Sequence, residues 1–231
     1  MGMRFTWIAV ALVAVAGWLL YQQRDAARLL AESATTMPAN PSDPAYRQAT
    51  FAAGCFWGVQ SAFDKVPGVV STTVGYTGGT MKNPTYEDVC THTTGHAESV
   101  LVTYDPRQIS YAKLLDIFWT CHDPTMINSQ GPDVGSNYRS VIFYHDADQE
   151  RVARESLKEV SASGVFKDPI ATQIVAAGPF YKAEEYHQRY FAKMGNGDFC
   201  HVGPVKVHTK LAEQAEAARQ AALNAPPATQ P

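Results

Sequence analysis

The sequence predicts an α/β or α+β sandwich whose sheet is covered by helices on one face. Three observations carry this. Segments that alternate apolar and polar residues take turns with segments of helical spacing. Gly, Pro, Asn and Asp punctuate the boundaries between them. Apolar residues make up 45% of the 231-residue chain against 18% charged, a balance that supports a buried core.

The elements follow in chain order. Phe5 to Tyr21 carries no charge and is almost wholly apolar, with Arg4 before it and Arg24 after it. A spanning helix needs roughly 17–25 residues, a signal-peptide core only about 7–15. Trp7, Trp18 and Tyr21 sit near its ends, where aromatic belts form. The small-residue triplet Ala14-Val15-Ala16 comes too early for cleavage and Ala31-Glu32-Ser33 rather late. The expectation is a single N-terminal hydrophobic helix over residues 1–24 that anchors the chain in a membrane. The rest is expected on the extracytoplasmic (periplasmic) side, with secretion after cleavage as the alternative. Residues 25–46, rich in Ala, Ser, Thr and Pro, read as a linker.

The folded domain is expected over residues 47–210. It opens with a strand at Ala49–Ala53, then a helix from near Cys55 or Phe56 that Pro67-Gly68 stops. Val69–Tyr76 and Ala97–Tyr104 alternate as strands, the first turned by Gly78-Gly79. Ser110–Cys121 is amphipathic, Ser140–Tyr144 is a strand, Gln149–Ser161 a helix, Ile174 to Ala176 a short strand and Ala183–Met194 a helix. Residues 211–231 read as a polar helix followed by a disordered tail.

Composition removes several functions. The net charge is −3 and no basic run exists, so nucleic acid is not an expected partner. The four cysteines, Cys55, Cys90, Cys121 and Cys200, form no CxxC pair, so no zinc knuckle is visible. His96, His122, His187 and His201 do not supply a metal-binding spacing with them, and no metal is expected.

Two residues stand out for chemistry. Cys55 follows a strand, sits behind Gly54 and opens a helix, where amide N–H groups stabilise an anion and lower a thiol pKa. By position alone it reads equally as a buried structural cysteine. Glu98 shares a strand face with Val100, Val102 and Tyr104. Buried there, its carboxyl would stay neutral near pH 7 and could donate a proton; at the strand end it would be an ordinary solvated glutamate. Tyr86, Asp133 and Tyr138 lie in loops whose Gly, Pro, Asn and Asp content also suits plain turns. A thiol-dependent reductase, a Cys–His hydrolase and a binding module without turnover all remain open on the residues alone.

The segments Gly54-Cys55-Phe56-Trp57-Gly58, Gly75-Tyr76-Thr77-Gly78-Gly79, Asn83-Pro84-Thr85-Tyr86 and Thr94-Gly95-His96-Ala97-Glu98 come in an order that resembles the peptide methionine sulfoxide reductase A family. His122-Asp123-Pro124-Thr125, Gln130 through Ser140 and Phe180 through Gln188 extend the resemblance over about residues 48 to 202. The resemblance implies an α+β, ferredoxin-like two-layer sandwich with a mixed sheet, and reduction of methionine-S-sulfoxide, free or in proteins. It implies Cys55 as nucleophile and Glu98 as the acid that protonates the sulfoxide oxygen. Tyr86 and Tyr138 would bind that oxygen, Phe56 and Trp57 would form the wall for the substrate methyl, and Asp133 would help organise the site. Cys200 would resolve the Cys55 sulfenic acid in a two-cysteine relay, since only one cysteine lies beyond Cys121. No bound cofactor is implied; an external dithiol such as thioredoxin would recycle the disulfide, and the chain is expected to be a monomer.

Overall fold

The computed structural model describes residues 45–195 and 206–225. The expected membrane helix, nearly all of the linker, Cys200 and the end of the tail lie outside the described residues. Among the described residues no helix is long and apolar enough to cross a membrane.

The fold is α+β, built on a mixed six-stranded sheet. Strand β1 (Arg47–Ala53) leads into helix α1 (Phe56–Asp64), then strand β2 (Val69–Thr77), helix α2 (Tyr86–Cys90) and strand β3 (Ala97–Tyr104). Helix α3 (Tyr111–Thr120) precedes a short hairpin of β4 (Ser129–Gln130) and β5 (Asp133–Val134). A 3₁₀ turn over Ser136–Tyr138 feeds β6 (Ser140–Tyr144), followed by α4 (Ala147–Ala162), β7 (Gln173–Ala176) and β8 (Tyr181–Lys182). Helices α5 (Tyr190–Met194) and α6 (Lys210–Asn224) complete the described chain.

The sheet order is β7-β6-β1-β3-β2-β8. β1 pairs antiparallel with β3 and β6, β2 antiparallel with β3 and β8, and only β6 and β7 run parallel. The central order β6-β1-β3-β2 is that of a split βαβ, ferredoxin-like unit, in which α1 and α3 cross over the same sheet face. That face is apolar because strand side chains alternate: Ala49, Phe51, Val100, Val102 and Val74 are fully buried beneath Phe63, Leu114, Leu115 and Phe118. Phe51 stacks on Phe63 at 5.1 Å and on Phe118 at 5.3 Å between ring centroids. Helix starts carry caps: Ser110 accepts from Lys113 N–H, Asp146 from Gln149 N–H, and Thr85 with Asp88 forms a capping box on α2.

Two segments differ from the sequence expectation. Residues 185–189 are turns, and only Tyr190–Met194 is helical. The Gln188 amide explains this: its Oε1 accepts from Val74 N–H at 3.0 Å and its Nε2 donates to Val74 O and Ala183 O at 2.9 Å each. A side chain thus takes the place of a strand partner on β2, and Arg189 turns through a left-handed φ of 51° instead of continuing a helix. The second concerns α6, expected as a polar helix beyond the folded domain: the helix is there, but it joins the core. It packs along α3, with Ala212 buried in the core, and Asp116 accepts from Thr209 N–H at 3.1 Å and Thr209 Oγ1 at 2.8 Å.

Candidate functional site

The site forms where β1 leaves the sheet beside the start of β3. Phe51 pairs with Val100, so continuing that register places the end of β1 near Glu98. Gly54 then turns the chain at φ 88°, a left-handed value that suits glycine. A Cβ at Gly54 would also lie 2.6 Å from Gln130 Cβ and Cγ. Cys55 is the residue before the first turn of α1, and its carbonyl already accepts from Gly58 N–H at 3.2 Å.

Glu98 is 2% exposed and faces Tyr76 across β2–β3. Of the two readings of this glutamate, the structure shows the buried one. Burial pushes its carboxyl up to about 7, with the negative charge of Asp133 adding to the rise. Phe56 N–H donates to Glu98 Oε2 at 3.1 Å and works against it. Near neutral pH this carboxyl is thus present in both protonation states.

Cys55 corrects a sequence expectation. The N–H groups of Trp57 and Gly58 do favour its thiolate, as a helix start should. Burial outweighs them, followed by the charges of Glu98 and Asp133, and the thiol is pushed up to about 12. Like charges in a buried site exclude one another, and the two N–H groups do not overcome that.

The remaining expected residues gather around this pair. Tyr86 heads α2, with its N–H donating to Glu184 Oε1 at 2.9 Å. Its hydroxyl is pushed up, first by burial and then by the Cys90 thiol beside it. Tyr138 ends the 3₁₀ turn; burial and the charge of Glu98 push its hydroxyl up to about 12. Asp133 sits in β5, close enough for its charge to raise both Cys55 and Glu98. Phe56 is 1% exposed and packs on Tyr76 at 5.9 Å and His187 at 5.1 Å. Trp57 is half-buried and stacks flat on Tyr190 at 3.8 Å. The structure therefore brings together Cys55, Phe56, Trp57, Tyr86, Glu98, Asp133 and Tyr138; Cys200 falls outside the described residues. Cys55 and Cys90 form no disulfide among the described residues.

Sequence reading missed His187 as a site residue. Trp57 Nε1 donates to His187 Nδ1 at 3.1 Å, and Tyr86 and Tyr186 pack on the same ring at 4.5 and 4.2 Å. It also missed Glu184, whose Oε2 accepts from Tyr76 OH at 2.9 Å. The signal was present in Glu184-Glu185-Tyr186-His187-Gln188, but helical spacing hid it. His96 and His122 do structural work. His96 Nδ1 accepts from Gly79 N–H at 3.1 Å, leaving Nε2 to donate to Met81 O at 2.7 Å. His122 is fully buried between Phe118 O and Ser140 Oγ, and burial pushes it down to about 4. Among the described residues no three His, Cys, Asp or Glu side chains converge as a metal site.

Fold and site together define an enzyme of the thiol class, with a half-buried cysteine set against a carboxyl that can hold a proton at neutral pH. The model of the family described as peptide methionine sulfoxide reductase matches residues 47–220. The peptide methionine sulfoxide reductase MsrA of Methanoculleus marisnigri is 62% identical over 150 residues, covering 65% of this chain and 92% of the relative. That of Geobacter sulfurreducens is 60% identical over 150 residues, covering 65% and 93%. Among solved structures, reduced Mxr1 of Saccharomyces cerevisiae superposes with a TM-score of 0.65 at 36% identity, covering 73% of this chain and 95% of that one. Methionine sulfoxide reductase A of Corynebacterium diphtheriae gives 0.64 at 35%, covering 69% and 80%. The chain belongs to the peptide methionine sulfoxide reductase family and is an enzyme of that activity.

Proposed function

We propose that the protein reduces the S epimer of methionine sulfoxide, free and in proteins, through Cys55. The observation that carries the mechanism is the placing of Cys55 at the start of α1 beside Glu98, a buried carboxyl raised to about 7. Sulfoxide sulfur is a poor electrophile until its oxygen is protonated. Glu98 gives that proton, and the Tyr86 and Tyr138 hydroxyls hold the oxygen. The Cys55 sulfur attacks, the protonated oxygen passes as hydroxyl from the substrate sulfur to the Cys55 sulfur as its old S–O bond breaks, and methionine leaves. Glu98 takes back the thiol proton, and the oxygen remains on Cys55 as a sulfenic acid. Substrate sulfur is reduced and Cys55 oxidised by the same two electrons. Phe56 and Trp57 receive the methyl group, and Asp133 helps order the site.

A second cysteine then condenses with the sulfenic acid, releasing water and forming a disulfide. Cys200 takes this part; it is the one cysteine beyond Cys121 in the chain. An external dithiol of the thioredoxin kind reduces the disulfide, and no bound cofactor takes part. The charge-free run from Phe5 to Tyr21 supports a membrane anchor with the enzyme on the extracytoplasmic side, repairing proteins there. Protease accessibility on intact cells checks this; a domain reached only from the cytoplasmic side overturns it.

The deciding experiment is single turnover. Fully reduced protein, freed of reductant, is offered separate S and R epimers of blocked methionine sulfoxide. Methionine from the S epimer alone, with two thiols lost per turnover, is expected. Cys55→Ser should form none, and Cys200→Ser should form methionine but stop at a sulfenic acid. Methionine formed by Cys55→Ser would overturn the nucleophile assignment.

A further inference from the structure

One buried amide in the site has an end without a partner. Asn137 is 1% exposed, and its Nδ2 has no partner in hydrogen-bonding geometry among the described residues. Buried N–H groups are nearly always paired, so an orphan of this kind marks a place for a ligand atom. The other end of the amide is fastened: Oδ1 lies 2.6 Å from His92 Nδ1. A carbonyl oxygen only accepts, so His92 Nδ1 carries the proton. With Oδ1 held there, Nδ2 faces inward. It lies near enough to Glu98 and to the Tyr138 hydroxyl to draw both downward in pKa.

The surrounding loops are shaped around this pair. A Cβ on Gly135 would run into His92 Cε1 and lie 2.6 Å from Asn137 Oδ1, so only glycine leaves the contact room. Ser136 Oγ donates to His92 O at 3.3 Å, and Arg139 Nη2 donates to Gly95 O at 2.9 Å. The loop carrying His92 is thereby tied to the one carrying Asn137 on both sides of the contact. His92 itself is exposed and left-handed, at φ 61°.

We propose that Asn137 is a further donor to the sulfoxide oxygen and that His92 is the residue that positions it. This rests on the sulfoxide reductase reading. A sulfoxide oxygen is a strong acceptor, and beside the Tyr138 hydroxyl it comes within reach of Nδ2–H, which no protein group holds in good geometry. No bond forms or breaks at Asn137; its N–H steadies the oxygen while the proton arrives from Glu98. His92 never meets substrate. Without its N–H the amide is free to turn over and present Oδ1, an acceptor that repels the oxygen. The groups that face Glu98 are the Cys55 thiol and Phe56 N–H from the start of α1, Tyr76 from β2, Tyr86 from α2, Asp133 from β5, and Tyr138 beside Asn137. None of these is a histidine, so His92 acts on the pH profile only through the amide.

The test compares full-length wild type with His92→Leu, His92→Gln and Asn137→Ala. Two readouts are taken: kcat/KM for the S epimer across pH 5 to 9, and the titration of the Glu98 carboxyl by carbon NMR. His92→Leu and Asn137→Ala should each lower kcat/KM by about tenfold to a hundredfold, the usual worth of one charge-assisted hydrogen bond. Both should move the loss of activity at high pH, and the Glu98 titration, upward, because a group that favours the carboxylate is gone. His92→Gln keeps an N–H donor and should recover most of the loss. A wild type that reduces the S epimer, with both variants within twofold of it and the titration unmoved, would overturn the proposal and leave the reductase reading intact. No methionine from wild type would sink that reading instead. The titration then still decides the positioning role, which fails if Asn137→Ala shifts Glu98 and His92→Leu does not.

Discussion

Replacing Glu98 with Gln separates what this carboxyl costs the fold from what it gives the reaction. Its pKa stands at about 7 against an ordinary 4.5, chiefly through burial. At about 1.4 kcal/mol per pH unit, holding the ionised form in this place costs roughly 3 kcal/mol. The sign follows from linkage. Between pH 4.5 and 7 the native carboxyl keeps a proton that the unfolded one has lost, so stability falls as pH rises through that window and levels off above it. Gln has the same shape, can accept from Phe56 N–H and never ionises. Glu98→Gln is therefore expected to match wild type within about 1 kcal/mol at pH 4 and to exceed it by up to about 3 kcal/mol at pH 8. The same variant has no proton to give. Its single-turnover rate for methionine should fall by about 10²- to 10⁴-fold, the usual contribution of a general acid. Urea unfolding at pH 4, 6 and 8, together with single turnover at pH 6, checks both halves. A stability difference that stays flat across the window would refute the buried-acid argument. An unchanged turnover rate would refute the assignment of the proton donor.

Three further outcomes are expected. Gly54→Ala combines a left-handed φ with a Cβ 2.6 Å from the Gln130 side chain, and should lower the unfolding free energy in urea by about 2–4 kcal/mol. A drop under 0.5 kcal/mol would show that the turn relaxes freely. Trp57→Ala removes an apolar wall worth about 2 kcal/mol and should raise KM for the S epimer by about tenfold or more, with kcat changed less; an unchanged KM would place the methyl group elsewhere. Alkylation of Cys55 by iodoacetamide in the substrate-free enzyme should run slower at pH 8 than that of an ordinary thiol, because Cys55 stands near 12. Glu98→Gln should speed it by removing a charge that raises the thiol.

How much of this was legible in the sequence depends on the range of the cause. β1, β2, β3, β6, α1, α3 and α4 show period two or helical spacing because each turns one face to the same core, and local pattern records that directly. The burial of Glu98 was readable in part, since Val100, Val102 and Tyr104 share its face. What decided between buried and solvated was the helix layer laid over the strand, which no local pattern states. The segment from Ala183 to Arg189 misled for the same reason. Its spacing is helical, but Gln188 spends its amide on Val74, more than a hundred residues earlier in the chain. His187 and Glu184 belong to the site only because that long-range contact bends the chain there. Asn137 looked like a turn residue until its partner His92, on another loop, came into view.

The thiol carries the sharpest lesson about what a helix start can do. Two amide N–H groups do aim at Cys55 and do favour its thiolate, yet the balance goes the other way. Burial disfavours the thiolate most, the charges of Glu98 and Asp133 add to that, and the site holds one negative charge more easily than two. In the empty enzyme that makes the favoured state a thiol beside a carboxyl. The arrangement suits the proposed reaction better than a standing thiolate would. A thiolate is what peroxides and other oxidants attack, so a permanently ionised Cys55 would be exposed to oxidation without substrate. In the proposed reaction the proton leaves the thiol when there is somewhere for it to go. Once Glu98 has passed its own proton to a bound sulfoxide oxygen, its carboxylate is the base beside the Cys55 sulfur. On the proposed mechanism nucleophile and acid are activated by the same transfer, which the arrival of substrate starts.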